Sequence, residues 1–181
     1  KRIISMAVVA GILISCNSSQ NTKKQTEVLP AKDITENTME DKTLIVKELE
    51  FTAEKPSAQE IEDALNAKNV EYNQIACVNW EGYNGDYTPD VKFRIGYTEK
   101  EIYIQYLVTE DDIKAAYGED AGSKPYTDSC VEFFAIPGEG GEYYNLELNC
   151  IGKGTFAGGA QRTDRTRYGD DVLSQIRRES T

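Results

Sequence analysis

Two glutamates, Glu132 and Glu147, stand where their carboxylates could act on one ligand. They lie in segments of alternating apolar and polar residues on either side of the glycine-rich turn 137–141, which is typical of a β-hairpin. Pairing the apolar residues with one another places Glu132 opposite Glu147 on the other face. Facing like charges destabilise a strand pair by about 0.2–1 kcal/mol, so we expect these carboxylates to bind hydroxyls, a cation or an arginine, or to face solvent. The predicted register pairs Val131, Phe133 and Ala135 with Leu148, Leu146 and Tyr144, and Cys130, Glu132 and Phe134 with Asn149, Glu147 and Asn145.

The chain contains no histidine, and this excludes several kinds of chemistry. Neither a Ser-His-Asp nor a Cys-His nucleophile can be built, and zinc or haem cannot be held by histidine. With Cys16 assigned to lipid attachment, Cys77, Cys130 and Cys150 remain. No CxxC motif occurs, so we expect no redox or zinc site, and the register makes a Cys130–Cys150 disulfide improbable.

Acidic residues cluster between the predicted strands and offer oxygen atoms, which are the ligands that calcium prefers. Their spacing is not that of an EF-hand, and charge clusters usually face solvent. We therefore expect no cofactor, with calcium as the one candidate metal. The residues concerned are Glu110, Asp111, Asp112, Glu119, Asp120 and Asp128.

Three aromatic residues lie in a loop rich in Gly, Asn and Asp before Pro89, namely Trp80, Tyr83 and Tyr87. Flat rings with polar rims suit the faces of pyranose sugars. The alternative for Trp80 is that it covers the core at the end of its strand. Further on, Arg162, Asp164, Arg165 and Arg167 form a stretch that either compensates the glutamates or lies at the surface.

The elements that must position these residues are mostly strands. A short helix is predicted after Ser57, which can cap it together with Glu60, and a late helix over 170–178. Short strands separated by turn residues favour an all-β fold, an antiparallel immunoglobulin-like or jelly-roll-like β-sandwich with one or two short helices. The predicted strands cover residues 43–51, 74–79, 91–97, 101–109, 128–136 and 143–151.

The first sixteen residues are typical of a secretory leader. Lys1 and Arg2 precede the apolar run 3–14, which is too short to span a bilayer because a spanning helix needs about 20 residues. The run ends at Cys16, in a sequence similar to a lipobox, and we expect this cysteine to carry a lipid anchor. An ordinary signal peptide or a buried segment are the alternatives. Residues 17–42 are polar and predict a tether, and 43–181 form the domain.

The domain resembles the family 9 carbohydrate-binding modules, relatives of the DOMON-type sandwiches. The likeness is carried by Asp128-Ser129-Cys130-Val131-Glu132-Phe133-Phe134 and, after the glycine-rich turn, Tyr143-Tyr144-Asn145-Leu146-Glu147-Leu148-Asn149-Cys150. Residues 74–80, 91–97 and 102–110 extend it.

The resemblance implies a β-sandwich that holds sugar between aromatic rings, while polar side chains bind its hydroxyls. By position it implies that Tyr126 stacks on the sugar, and that Glu132 and Asn149 contact it. Where this chain has Glu147, the family members carry an arginine. A second stacking residue arises in the family after further strands, and the chain is expected to be incomplete there. The predicted ligand-binding residues are Tyr126, Glu132, Glu147, Asn149, Asn145 and Trp80, and no catalytic residue is predicted.

The leading hypothesis is a lipoprotein that binds a polysaccharide or oligosaccharide without cleaving it and supports polysaccharide catabolism. We place it in the bacterial cell envelope, at the outer membrane, where the lipid anchor holds it. The net charge of −11 disfavours nucleic acid as a partner. One alternative is a xylanase-like glycoside hydrolase-associated domain, since glycosidases use two carboxylates about 5–9.5 Å apart. Another is a structural DOMON-like module; haem fits poorly, because only Met6 and Met39 could supply ligands.

Overall fold

Two β-sheets and the helices beside them make up the fold. The computed structural model describes residues 2–10, 43–76, 87–120, 122–138 and 141–181. The strands are β1 (Arg2–Ala10), β2 (Lys47–Glu48), β3 (Asn73–Gln74), β4 (Asp90–Tyr97), β5 (Ile102–Glu110), β6 (Cys130–Ala135), β7 (Tyr143–Asn149), β8 (Gly154–Gln161), β9 (Asp164–Arg167) and β10 (Arg177–Ser180). The helices are α1 (Ala58–Ala67) and α2 (Asp170–Leu173), with a 3-10 turn at Pro125–Thr127.

The strands form one six-stranded and one four-stranded sheet within the described residues. The larger has the order β10-β1-β5-β4-β2, with β3 also paired to β4, and the smaller has the order β6-β7-β8-β9. All pairs are antiparallel except β2 with β4. The predicted all-β sandwich is confirmed.

The main core lies between the sheets because alternate residues of β5 and β7 are apolar. Ile104 and Tyr106 from the larger sheet meet Leu146 and Leu148 from the smaller one, and all four are buried. Leu173 of α2 and its neighbour Ile176 close this cluster. The outward residues of β6 and β7 are therefore fixed on the opposite face of the smaller sheet.

Helix α1 covers a second cluster on the larger sheet. Ser57 caps it as predicted: its hydroxyl accepts from the N–H of Glu60 at 3.3 Å, and the Glu60 carboxylate accepts from the N–H of Ser57 at 2.8 Å. Ile61 and Leu65 of the helix pack against Leu49 and Tyr103. The strand predicted over 43–51 is limited to Lys47–Glu48, and its pairing with β4 ends at the hydrogen bond from the Leu49 N–H to the Tyr97 carbonyl.

The end of the chain differs from the prediction. The helix expected over 170–178 is confined to Asp170–Leu173, and Arg177–Ser180 forms β10. Strands β8 and β9 were not predicted. The strand expected over 74–79 appears as Asn73–Gln74, with 77–79 outside the described residues.

Strand β1 lies within the segment assigned to the leader and pairs with β5 on one side and β10 on the other. Cys16 and the tether 17–42 lie outside the described residues. In the described part of the chain, the helices are too short or too polar to cross a membrane.

Candidate functional site

The outward side of the smaller sheet carries the predicted glutamate pair. The hairpin of β6 and β7 has the predicted register, with Glu132 paired to Glu147 and Phe134 to Asn145. Pairing of β7 with β8 and of β8 with β9 extends this side across four strands. We call it the polar face: Cys130, Glu132, Phe134, Tyr143, Asn145, Glu147, Asn149, Thr155, Ala157, Gly159, Arg165 and Arg167.

Glu147 is held in place by its neighbours on the polar face. The side-chain amide of Asn145 donates to its Oε1 at 2.8 Å, and the Thr155 hydroxyl donates to its Oε2 at 3.4 Å. Asn145 is only 3% exposed, and its Oδ1 is buried without a hydrogen-bond partner among the described residues. A buried acceptor without a donor costs free energy, so this oxygen favours a ligand or water that can supply one.

Glu132 lies beside this arrangement in an unfavourable electrostatic setting. Partial burial, together with the negative charge of Glu147, raises the pKa of the Glu132 carboxyl above its usual range. The charges of Arg165 and Arg162 act in the opposite direction, which favours the first of the two roles predicted for the basic stretch. Neither glutamate forms an ion pair with a Lys or Arg of the described residues.

Exposed aromatic rings lie on the hairpin that carries the glutamates and on the turn next to it. Phe134 is 57% exposed, and its ring centroid lies 6.3 Å from that of Tyr143, over which the Arg165 guanidinium sits at 6.0 Å. Tyr126 is 55% exposed on the 3-10 turn, where buried Pro125 fixes the backbone. Sequence reasoning put Phe134 on this face but did not assign it a role; the signal that could have found it is a large aromatic side chain at an outward position of a predicted strand.

The middle of the polar face is low because β8 carries short side chains there. Thr155, Ala157 and Gly159 follow one another along this side of the strand. A Cβ atom at Gly159 would lie 2.1 Å from the backbone oxygen of Asp164, so glycine is required for the close approach of β9. The aromatic rings on β6 and β7 and the arginines on β9 lie on either side of this row of short side chains.

Asn149 was predicted to contact sugar, and the structure places its side chain in the protein interior. It is fully buried, and its amide donates to the Tyr117 carbonyl at 2.8 Å and to Asp128 Oδ2 at 3.0 Å. Its Oδ1 accepts from the N–H groups of Ile151 and Lys153 at 3.3 and 2.9 Å. These bonds tie the turn after β7 to the loop before β6.

Two of the acidic residues considered for calcium, Asp128 and Asp120, make other contacts, whereas Glu110 Oε1 is buried without a hydrogen-bond partner among the described residues. Burial opposes ionisation of Asp128, but hydrogen bonds from the Ala116 N–H, Asn149 and the Tyr117 N–H hold its pKa below the usual range. Arg178 binds Asp120 through two bonds of 2.7 and 3.1 Å. Within the described residues, no three His, Cys, Asp or Glu side chains are grouped as metal ligands.

Cys130 and Cys150 are both free thiols, as the register predicts. They line a cavity of about 70 Å³ at one end of the sandwich, together with Val108, Glu110 and Leu148, and neither Glu132 nor Glu147 borders it. Tyr87 is partly exposed, and its hydroxyl accepts from the Asp111 N–H at 2.9 Å. Trp80, Tyr83 and Cys77 lie outside the described residues.

Comparison with known proteins points to saccharides. Residues 59–181 match the family described as carbohydrate-binding family 9. The crystal structure of a candidate carbohydrate-binding protein from Bacteroides uniformis has 36% sequence identity and a TM-score of 0.65, over 71% of this chain. The match spans 57% of the length of that protein. A search of curated proteins found no match.

Proposed function

The chain belongs to carbohydrate-binding family 9, and we propose that its polar face binds a saccharide without cleaving it. The observation that carries this proposal is the exposed ring of Phe134 next to the Glu132–Glu147 pair and the unpartnered oxygen of Asn145. A sugar ring has C–H groups on its faces and hydroxyls on its rim. It can therefore stack on an aromatic ring and donate to carboxylates in one pose.

Tyr126 is the second aromatic residue proposed to contact the sugar. It lies on the turn that precedes β6, next to the hairpin that carries the glutamates. Its ring is exposed and therefore accessible to a ligand, and the buried proline before it limits its movement. Asn149 has every hydrogen-bonding position of its side chain occupied, so its proposed contribution is to support the hairpin.

Affinity electrophoresis in gels that contain polysaccharide tests the proposal. The wild-type chain should migrate more slowly with at least one glycan, and Phe134→Ala should weaken the affinity about tenfold or more, the usual loss at a binding hot spot. Tyr97→Ala is the matched control, since Tyr97 is an exposed aromatic on the other sheet. Equal retention of both variants would show that the ligand binds elsewhere. No retention on any glycan would refute the proposal.

Hydrolysis is the second candidate function, and one observation favours it: the raised pKa of Glu132 is a property of general acids in glycosidases. The two glutamates lie on neighbouring strands of an open sheet face, whereas glycosidases hold the sugar in a cleft. Release of reducing sugar from the same panel of glycans distinguishes the two functions. Sugar release that Glu132→Gln abolishes would establish catalysis.

We further propose that Cys16 is lipidated and that the tether 17–42 holds the domain at the outer membrane. A modest affinity for sugar would then gain from the high local concentration of domains on the surface, in support of polysaccharide catabolism. Cleavage before Cys16 would remove β1 from between β5 and β10. Cells expressing the protein should incorporate labelled palmitate into it, and Cys16→Ser should not. Equal labelling of both would contradict the anchor.

A further inference from the structure

The polar face presents two carboxylates that the protein does not neutralise. Glu132 and Glu147 face each other across the hairpin, and within the described residues neither is ion-paired. Arg165 and Arg162 affect the charge of Glu132 only from a distance, and Arg165 stacks over Tyr143. Because facing like charges are destabilising, an unpaired pair on a binding face favours a ligand that brings a positive charge.

A second, independent feature indicates that this ligand donates hydrogen bonds. Asn145 lies between Phe134 and Ala157 in its row of the polar face and is almost completely buried. Its amide nitrogen donates to Glu147 and also acts as a hydrogen-bond donor toward Glu132, which leaves the buried Oδ1 without a donor in the described structure. An ammonium group carries three N–H donors and no acceptor. Two carboxylates and an amide oxygen match those three donors.

The exposed ring of Phe134 adds a surface for a cation. The face of an aromatic ring attracts an ammonium group, and Phe134 neighbours Glu132 on the same side of β6. A divalent cation is the competing ligand, because carboxylate and amide oxygens also suit calcium; in the described residues no three His, Cys, Asp or Glu side chains are grouped as metal ligands. An acidic sugar would meet repulsion from both glutamates.

We propose that the polar face selects saccharides with a free amino group, such as polymers of 2-amino-2-deoxy sugars, with Glu132, Glu147 and Asn145 binding the ammonium. This inference rests on the proposed function and names its ligand class. A neutral or N-acetylated sugar would fill the same position without compensating the two negative charges. The selectivity therefore depends on the charge of one substituent of the sugar and not on the shape of the saccharide.

Isothermal titration with three tetrasaccharides tests this selectivity: the tetramer of glucosamine, the tetramer of N-acetylglucosamine, and cellotetraose. They share the β-1,4-linked backbone and differ at carbon 2. With EDTA present at about pH 6, we expect the glucosamine tetramer to bind about tenfold or more tightly than the other two, the effect of one charge-assisted hydrogen bond. At about pH 9, where such amines lose their charge and glutamates keep theirs, the preference should disappear.

Matched variants separate a specific site from general attraction to an acidic protein. The double variant E132Q/E147Q should lose the preference for the glucosamine tetramer. The single variant Glu132→Gln leaves the hydrogen bonds of Glu147 intact and should lose part of this preference. The control E54Q/E99Q makes the same change in net charge at two exposed glutamates outside the polar face and should keep it. Circular dichroism verifies that each variant is folded.

The outcomes distinguish this inference from the proposed function. Equal affinity for the three tetramers, or a preference that E132Q/E147Q retains, overturns the inference and leaves saccharide binding standing. If other glycans retain the protein in gels but the glucosamine tetramer does not bind, the inference is again overturned and saccharide binding stands. Absence of binding to every tetramer and every polysaccharide overturns both.

Discussion

Substituting Glu132 by glutamine should make the protein more stable, although it damages the proposed site. The variant removes one of two facing negative charges and keeps the side-chain length, and Glu147 retains its bonds from Asn145 and Thr155. Relief of such a cross-strand repulsion is worth about 0.2–1 kcal/mol at neutral pH. For a chain of this size that corresponds to a rise in Tm of up to about 4 °C. Urea denaturation measures the change.

The pH dependence of this gain has a defined sign. The pKa of Glu132 is raised in the folded protein, so the folded state holds the proton more tightly than the unfolded state. The stabilising effect of that proton is fully present below the ordinary glutamate pKa of about 4.3 and is lost as pH rises through the raised value. The stability difference between Glu132→Gln and wild type should therefore be small below about pH 4 and grow above it.

Glu99→Gln is the control for this experiment, because Glu99 is exposed in the turn between β4 and β5 and has the same charge. Its effect on stability should stay within the small range of surface substitutions and should not grow with pH in the same way. The reasoning is refuted if Glu132→Gln is less stable than wild type at neutral pH. It is also refuted if the two variants show the same pH profile.

Three further outcomes are expected. Asn149→Ala should lower the free energy of unfolding by about 2 kcal/mol or more, because it removes the hydrogen bonds that a fully buried side chain makes to two loops; an unchanged urea midpoint would contradict a structural role. Gly154→Ala should destabilise by about 1–3 kcal/mol, since the new Cβ would lie 1.8 Å from the Glu147 carbonyl oxygen, whereas Gly118→Ala, with open space around it, should not. EDTA should leave retention on glycans unchanged, and a loss that calcium restores would establish a metal site.

The hairpin could be predicted from the sequence because its two strands alternate cleanly. Only one register buries Phe133 against Leu146, and this register fixes Glu132 opposite Glu147. The helix α1 was equally accessible, since Ser57 and Glu60 form a capping box. In both cases the signal is local and the tertiary structure agrees with it.

Strands β8 and β9 could not be predicted because their residues have weak β-propensity. Gly154 and Gly159 are tolerated there because neighbouring strands approach them too closely for a side chain, which only the assembled sheet reveals. Asp164–Arg167 is a charged edge strand, and its pairing with β8 supplies the order that its composition lacks. For the same reason, Arg177–Ser180 pairs as a strand where the sequence predicted a helix.

The placement of the candidate site residues, though not their role, could be predicted in part. The glutamates and Asn145 followed from the register, but the burial of Asn149 depends on the loop that carries Tyr117 and Asp128, a contact without a sequence signal. Phe134 was placed on the right face and its exposure was overlooked. Trp80 stays a prediction, as it lies outside the described residues.

Strand β7 has a consequence for how the family can change over evolution. Its odd-numbered residues Asn145 and Glu147 face the proposed ligand, and its even-numbered residues Leu146 and Leu148 form the core. Loss or gain of one codon within Tyr143–Asn149 would exchange these two sets and put the carboxylate inside the sandwich. Selection should therefore remove insertions and deletions within this segment. New ligand preferences should arise by point substitution here, or by insertion in the turns on either side.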